Sequence, residues 1–292
     1  MTISKSHSRQ KGKMKPVINL LVQLQELAEA RAQQEAVVSN PQLTELDASI
    51  EALRKKLPPD LSSKFTKLQQ KGHVAIVPIA GGRCSACAMQ LPSSLIQLVA
   101  AGTQVSTCPT CARILYMPPE TLPQRISRRT QRFEAPKIGI ARFSALNLMM
   151  PHIEAATRDE AIEEMSMKLE AEQFVDNGRK LRDAAIARES IISTAVEHGI
   201  AFPHVRGIEG GGLTLALATS KKGIRCEQGG KNLTRIIFFL LIPTGASAFY
   251  LKLLAGLTES FQKKENRDKL LDADTPEKLW KALAATTRST VK

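Results

Sequence analysis

Four of the five cysteines in this 292-residue chain fall in two pairs, Cys84-x2-Cys87 and Cys108-x2-Cys111, separated by twenty residues. Each CxxC is a tight turn that puts two thiolates on one side of the backbone. Two such turns, brought together by a short β-hairpin or a helix, complete a tetrahedral sulfur shell of the kind Zn²⁺ favours. With all four positions closed by sulfur, the site is structural rather than catalytic. A redox dithiol needs a thioredoxin-like βαβ context that these residues do not offer. An iron–sulfur centre is the alternative that spacing leaves open. The second chemical candidate is His204. Gly199 breaks the preceding helical pattern, Ile200-Ala201-Phe202 reads as a short strand, and Pro203 fixes the backbone just before the imidazole. A strand end is a common place for a reactive group, although spacing alone would leave a lone histidine structural. His198, in the turn before that strand, is the rival nucleophile and is expected at the surface. His7, His73 and His152 fall in the N-terminal arm or at element edges and are expected to be inert.

The elements that must position these groups can be traced along the chain. Residues 1–15 carry Lys5, Arg9, Lys11, Lys13 and Lys15 without an acid and read as a basic arm. Val17, Leu20, Leu24 and Leu27, then Leu43, Leu46, Ile50, Leu53 and Leu57, alternate steps of three and four. Such narrow seams predict a helical coiled-coil hairpin over 16–72. Asn40 and Pro41 provide a cap and first position for the second helix. Pro58 and Pro59 should end that helix, and Asp60 should cap a further short one. A strand from His73 to Ile79 leads into the cysteine region, 73–117. Residues 118–142, with Pro118, Pro119, Pro123, Pro136 and the run Arg125, Arg128, Arg129, Arg132, have the composition of a linker.

Beyond it, 143–288 alternates strands and helices and predicts an α/β or mixed α+β domain. Thr157-Arg158-Asp159-Glu160 is a capping box. Helices are expected at Gly178–Glu189 and Ser247–Gln262, the latter with Leu251, Leu254, Leu257 and Phe261 inward, and another is expected from Thr275-Pro276. Strands are expected at 199–202, 213–218 and 234–242. The last has almost no alternation and should be central, buried on both faces.

Two family resemblances follow from these residues. Ala75-Ile-Val-Pro-Ile-Ala-Gly-Gly-Arg-Cys84-Ser-Ala-Cys87, then Leu91-Pro92, then Cys108-Pro-Thr-Cys111-Ala-Arg-Ile-Leu-Tyr116, resembles the bacterial C4-type zinc-ribbon family, whose members carry a helical hairpin before the ribbon. The resemblance implies one structural Zn²⁺ and a nucleic-acid or protein partner. The hairpin is short for that family, and Ala112 stands where it usually has glycine. The stretch Arg188-Glu189, Ser193-Thr194, Gly199-Ile-Ala-Phe-Pro203-His204 resembles the active-site segment of phosphotransferase-system enzyme IIA domains of the fructose, mannitol and nitrogen-regulatory type. That resemblance implies a mixed β-sheet flanked by helices. It makes His204 the phosphoryl-accepting histidine, supplied by an HPr-like phosphocarrier, and Arg188 the arginine that holds phosphate oxygens.

The residue types suit that chemistry. A neutral imidazole offers a lone pair near neutral pH, and a guanidinium presents a planar fork to phosphate. Backbone N–H groups around Ser193 and Thr194 can add to it. No metal is needed at this site. Two positions depart from the family: Ala195 replaces a glycine, and Tyr250, in Tyr250-Leu-Lys-Leu-Leu254, replaces a second histidine. Tyr250 can donate one hydrogen bond to a phosphoryl oxygen but cannot carry a charge. Cys226 is expected to be a small buried hydrophobe.

Composition sets the outer limits. The chain has 41 Lys/Arg and 28 Asp/Glu, net +13, and residues 1–137 alone account for +10. The basic arm and the Arg125–Arg132 run are read first as solvated chain and second as phosphate contacts. An apolar fraction of 43% excludes full disorder. The longest dense apolar run, Ile236 to Ile242, is far too short to cross a bilayer, and residues 1–15 lack a signal-peptide core, so a cytoplasmic address is expected. The combined expectation is a phosphocarrier with a zinc-ribbon docking or output module. The alternative is a non-catalytic adaptor that binds protein or nucleic acid through the ribbon.

Overall fold

The computed structural model describes residues 14–37, 43–70, 74–117, 138–191, 193–208, 212–226, 233–243 and 247–291. The basic arm up to residue 13, the Asn40-Pro41 restart, His73 and the Arg125–Arg132 run lie outside the described residues. The chain divides into two compact units, one over 1–35 and 39–119, the other over 120–292 together with 36–38.

The first unit begins with α1 (Lys15–Val37), α2 (Thr44–Arg54) and α3 (Pro59–Gln70). The Arg31 guanidinium bridges from α1 to Asp47 of α2 at 2.6 Å. The buried face of α1 is broader than the seam read from the sequence. Leu21, Leu24, Gln25, Ala30 and Gln33 are its buried residues, whereas Leu20 and Leu27 are only partly buried. The reason is a third neighbour: α1 also packs on the ribbon, where the Gln25 side-chain oxygen accepts the Ala75 N–H at 2.8 Å. Pro59 is the first residue of α3 and Asp60 lies inside its first turn, so Asp60 is not the cap that was expected. A proline needs no intrahelical acceptor at that position, and its fixed φ already suits a helix.

The ribbon follows with β1 (Ile76–Ala80), β2 (Arg83–Cys84), α4 (Ser93–Ala101), β3 (Ser106–Thr107) and β4 (Ile114–Tyr116). The sheet order is β2-β1-β4-β3, with β1 and β4 parallel and the outer pairs antiparallel. Both central strands are covered on two sides. Ile76 and Ile114 pack under the helices with Leu21, Leu24 and Phe65. Val77, Ile79 and Leu115 pack with the cysteines, Leu91 and Val99. Two-sided burial is why β1 reads as a continuous apolar run.

The second unit contains β5 (Met149–Met150), α5 (Arg158–Ala171), α6 (Gly178–Glu189), β6 (Ala195–Val196), β7 (Ile200–Ala201), β8 (His204–Arg206), β9 (Thr214–Ile224), β10 (Thr234–Ile242), α7 (Ser247–Gln262), α8 (Lys264–Leu271) and α9 (Pro276–Thr286). It starts before the point read as the linker's end: Ile140, in a 3-10 turn, is already buried in its core, which extends to Val291. Its mixed six-stranded sheet has the order β5-β9-β10-β7-β6, with β8 also paired to β10. As expected, β10 is the central strand, and all but one of its residues are buried.

Helix starts follow local chemistry. Thr157 and Glu160 form the full capping box of α5, and Thr275 caps α9 ahead of Pro276. On α7, Leu253 is buried where Leu251 is only partly so. The inward stripe therefore runs through Leu253, Leu254, Leu257 and Phe261. Cys226 lies in the core as a small hydrophobe.

Candidate functional site

The two CxxC turns are near copies of each other. In the first, the Ala88 N–H donates to the Cys84 carbonyl at 2.8 Å and the Cys84 N–H to the Met89 carbonyl at 3.0 Å. In the second, the Ala112 N–H donates to the Cys108 carbonyl at 2.9 Å and the Cys108 N–H to the Arg113 carbonyl at 2.8 Å. The element between them is the helix α4, one of the two connections the spacing allowed. The four Sγ atoms lie within 4.8 Å of one another. Pairs drawn from opposite turns, Cys84 with Cys111 and Cys87 with Cys108, are 3.7 Å apart. Tetrahedral Zn–S bonds of ~2.3 Å place sulfurs roughly 3.8 Å apart, so the thiolates fit that ion. Burial pushes the Cys84 thiol up to about 12. A cation that displaces the proton is what would hold this sulfur as a thiolate near neutral pH.

Both turns end on an alanine with φ +60°, Ala88 as well as Ala112. A left-handed backbone at a residue with a Cβ costs about 1–2 kcal/mol. Part of the gain from glycine there is offset by the entropy of a freer unfolded chain, roughly 0.4–1 kcal/mol. Ala112→Gly is therefore expected to stabilise the ribbon by about 0.5–1 kcal/mol. A competition titration with a zinc chelator should show the variant holding its metal more tightly than the parent; equal or weaker retention would refute the strain.

At the other end of the chain, β7 and β8 are two pieces of one path along β10. Ile200 pairs with Ile236 and His204 with Leu240, the same register offset on both sides of Phe202-Pro203. Pro203 has no N–H to give the ladder, but its carbonyl still accepts the Leu240 N–H at 3.0 Å. The break therefore interrupts one donor without shifting the strand, and His204 opens β8 as a buried residue. The preceding turn depends on Gly199, at φ +72°, where a Cβ would lie 2.8 Å from the Leu233 carbonyl oxygen. His198, beside it, is exposed.

The imidazole Nδ1 of His204 is 3.1 Å from the Phe202 carbonyl oxygen. A carbonyl can only accept, so this contact places the proton on Nδ1 and the lone pair on Nε2. Burial, the positive charge of Arg188 at the end of α6, and that of Arg206 hold the ring's pKa well below the usual 6.5. A neutral imidazole with a free Nε2 lone pair, facing two guanidinium charges, is equipped to receive an anionic group.

Residues 145–286 match the family model of the phosphoenolpyruvate-dependent sugar phosphotransferase system, EIIA 2. This half of the chain is EIIA-like, similar to that family over 142 of the chain's 292 residues. Residues 83–115 match the C4-type zinc ribbon domain. The fructose-specific EIIA component of the PTS system of Haloferax volcanii is 28% identical over 146 residues, covering 50% of this chain and 94% of that protein. A nitrogen regulatory protein of Bradyrhizobium diazoefficiens is 26% identical over 136 residues, covering 47% and 88%. The crystal structure of nitrogen regulatory protein IIA-Ntr from Neisseria meningitidis aligns at 24% identity with a TM-score of 0.44, covering 48% of this chain and 96% of that one.

Within this EIIA-like domain, the packing of α7 brings Tyr250 to His204. Tyr250 is fully buried, and its ring lies 5.4 Å from the imidazole at a 41° tilt. The Arg206 guanidinium lies 4.9 Å from the centre of the same tyrosine ring. His204 and Arg206 are two residues apart on β8 and so share one face of the strand. Sequence reasoning missed Arg206; the i, i+2 spacing in His204-Val205-Arg206 was the available signal.

Thr194 is buried, but its groups are engaged within the protein. Its N–H donates to Glu189 Oε2 at 3.0 Å and its hydroxyl to Glu189 Oε1 at 2.7 Å. The Ser193 hydroxyl accepts the Ala195 N–H at 3.2 Å. The Thr194 amide thus serves the buried carboxylate of Glu189, a residue whose part in the site the sequence reading did not assign.

Proposed function

We propose that the EIIA-like domain is a phosphocarrier, accepting a phosphoryl group on Nε2 of His204 from an HPr-like protein. The observation that carries the reading is the Nδ1 contact with the Phe202 carbonyl, which leaves Nε2 as the nucleophilic lone pair. In the transfer, the Nε2 lone pair forms the new bond to phosphorus. The bond from phosphorus to the donor's leaving atom breaks, and its electron pair returns to the donor. Nδ1 keeps its proton, and the Phe202 carbonyl stabilises the positive charge the ring gains. Arg188 and Arg206 offset the charge of the transferring oxygens, which is most of what phosphoryl transfer asks of a protein. The test is incubation with phosphoenolpyruvate, enzyme I and HPr, followed by peptide mapping under conditions that preserve N–P bonds. Label on His204 supports the reading, and label elsewhere or none defeats it.

Tyr250 gains a role from its two neighbours. Its hydroxyl is a hydrogen-bond donor for a phosphoryl oxygen, and its ring is a shelf for the Arg206 cation. Together they supply the donor and the charge that one residue cannot. Tyr250→Phe should slow acceptance by an amount equivalent to about 1–3 kcal/mol, the worth of a hydrogen bond to a charged group. Arg206→Gln should slow it further, because both the charge and the stacked partner are lost. Tyr250→His should speed onward transfer. Single-turnover phosphorylation of the three variants, together with the rate at which each phosphorylated protein passes the group on, decides. Rates equal to the parent's in all three would make Tyr250 a packing residue and would favour the adaptor reading instead.

The zinc-ribbon unit is read as the docking or output module, with a protein as its partner. That reading is supported by α4, which carries no charge, leaves Leu95, Ile96 and Leu98 only partly buried, and follows an exposed Met89. Among the described residues, no helix is long and apolar enough to cross a membrane.

A further inference from the structure

The carboxylate of Glu189 is almost fully buried, with 4% of the residue exposed. Burying a carboxylate is costly, and burial raises its pKa here. The nearby charges of Arg188 and Arg158 act in the opposite direction, as do two hydrogen bonds from Thr194. A leucine would fill the same volume without that cost. It could not accept from both the N–H and the hydroxyl of Thr194.

What those two bonds connect is specific. Glu189 is the last residue of α6 and the immediate neighbour of Arg188. Thr194 is the residue before β6, the edge strand that pairs with β7. The Thr194 carbonyl in turn accepts the Phe202 N–H at 3.2 Å, and the Phe202 carbonyl holds His204 Nδ1 at 3.1 Å. An unbroken set of contacts thus runs from the helix end that carries the arginine to the ring that carries the lone pair. We infer that Glu189 is a positioning residue, clamping the end of α6 to the segment before His204 and so setting Arg188 against the imidazole.

The linked groups belong to neighbouring peptide units, so the coupling is positional and moves no proton. His204 has other supports as well. Phe202 stacks on Phe238 at 5.4 Å between ring centres, and β8 is paired to β10. Loss of the clamp therefore leaves β8 in place. It frees the end of α6 and the Thr194 carbonyl that tethers the Phe202 N–H, so the effect falls both on the geometry between arginine and histidine and on the fixed contact of Nδ1 with the Phe202 carbonyl. This follows the general logic of a nucleophile oriented by a third group.

The test compares the full-length protein with Glu189→Gln, Glu189→Leu and Thr194→Val. Glutamine can still accept the Thr194 N–H through its oxygen and face the threonine hydroxyl with its amide. Leucine can do neither. The first readout is the ¹⁵N spectrum of the His204 ring in unphosphorylated protein. The parent and Glu189→Gln should show one fixed Nδ1–H tautomer, and Glu189→Leu should show shifts averaged between tautomers. The second readout is the rate of phosphoryl acceptance from HPr. Glu189→Leu should lose about 10- to 100-fold, the scale expected when reacting groups are misplaced by a fraction of an ångström to one ångström. Glu189→Gln should stay near the parent.

Thr194→Val removes the hydroxyl and spares the amide, so it should move both readouts in the same direction by less. It keeps the question open to refutation should the leucine variant fail to fold. A single Nδ1–H tautomer and a parental rate in Glu189→Leu or in Thr194→Val would overturn the clamp. So would a glutamine variant as impaired as the leucine one. The rate arm rests on His204 being the acceptor, and the nitrogen spectrum does not. If the parent takes no phosphoryl group, the tautomer alone still decides the role of Glu189.

Discussion

Replacing His204 by glutamine is expected to abolish phosphoryl acceptance while leaving the EIIA-like domain folded. Glutamine is close to histidine in size, and its amide N–H can still reach the Phe202 carbonyl that now holds Nδ1. Its nitrogen has no available lone pair, so the nucleophile is gone although the packing is kept. Acid-labile label transferred from HPr should fall from stoichiometric in the parent to background in His204→Gln, with circular dichroism unchanged. Label retained at parental stoichiometry would move the acceptor elsewhere.

The same ring has a pH consequence. Its folded pKa lies well below the usual 6.5 because of burial and the two arginines. Above 6.5 the ring is neutral in both folded and unfolded chains, so no stability depends on pH through it. As pH falls through 6.5 the unfolded chain gains a proton that the folded one refuses, and stability declines until the folded pKa is reached. His152, whose pKa is also lowered, by burial and Lys221, adds a loss of the same sign. The midpoint of urea unfolding should therefore drop between pH 7 and pH 5, and His204→Gln should drop less. A steeper decline in the variant would contradict the direction assigned to His204.

Replacing Cys108 by serine is expected to remove the metal and melt the ribbon without disturbing the second unit. Each chain should carry one zinc, and the variant none. Zinc binding to sites of this kind carries an apparent free energy of about 10–16 kcal/mol, and that binding energy is folding energy. The ribbon's strands are two to five residues long, too short to persist by pairing alone once the sulfur shell opens. Among the described residues, the core of the EIIA-like domain draws on Ile140 to Val291, whereas the ribbon clusters lie between Val17 and Tyr116. Amide spectra of Cys108→Ser should accordingly lose the dispersed resonances of β1 to β4 and keep those of β5 to β10. Collapse of both sets, or full zinc content in the variant, would refute independent folding or the ligand assignment. Iron in place of zinc after reducing purification would favour the iron–sulfur alternative.

Much of this protein was open to reading from sequence because the signals are local. The thiolate spacing defines the sulfur shell before any fold is known, since the two turns and one connecting helix are enough to close it. Both α6 and α7 begin and end where expected, and α5 and α9 start at the expected caps, because caps and apolar steps of three and four act within a few residues. The central position of β10 follows from its lack of alternation, since only a strand covered on both faces can bury nearly every residue. Features that depend on distant partners were not legible. β5, β6 and β8 are two or three residues long and carry no periodicity of their own. Ala88 needs a left-handed backbone only because its carbonyl and amide partners close a knuckle around it. Tyr250 meets His204, and Arg206 meets Tyr250, because α7 packs its first turn against the face of the sheet that β8 presents. Glu189 reads as an ordinary helix-terminal acid until the fold buries it and brings Thr194 to it. The residue types that can do chemistry were therefore determined by the sequence. Which cations face the imidazole and what holds them in place were decided by tertiary structure, because both depend on contacts between segments that packing alone brings together, and even the local contact that fixes the ring's lone pair, two residues away at Phe202, takes its geometry from the path of β7 and β8 along β10.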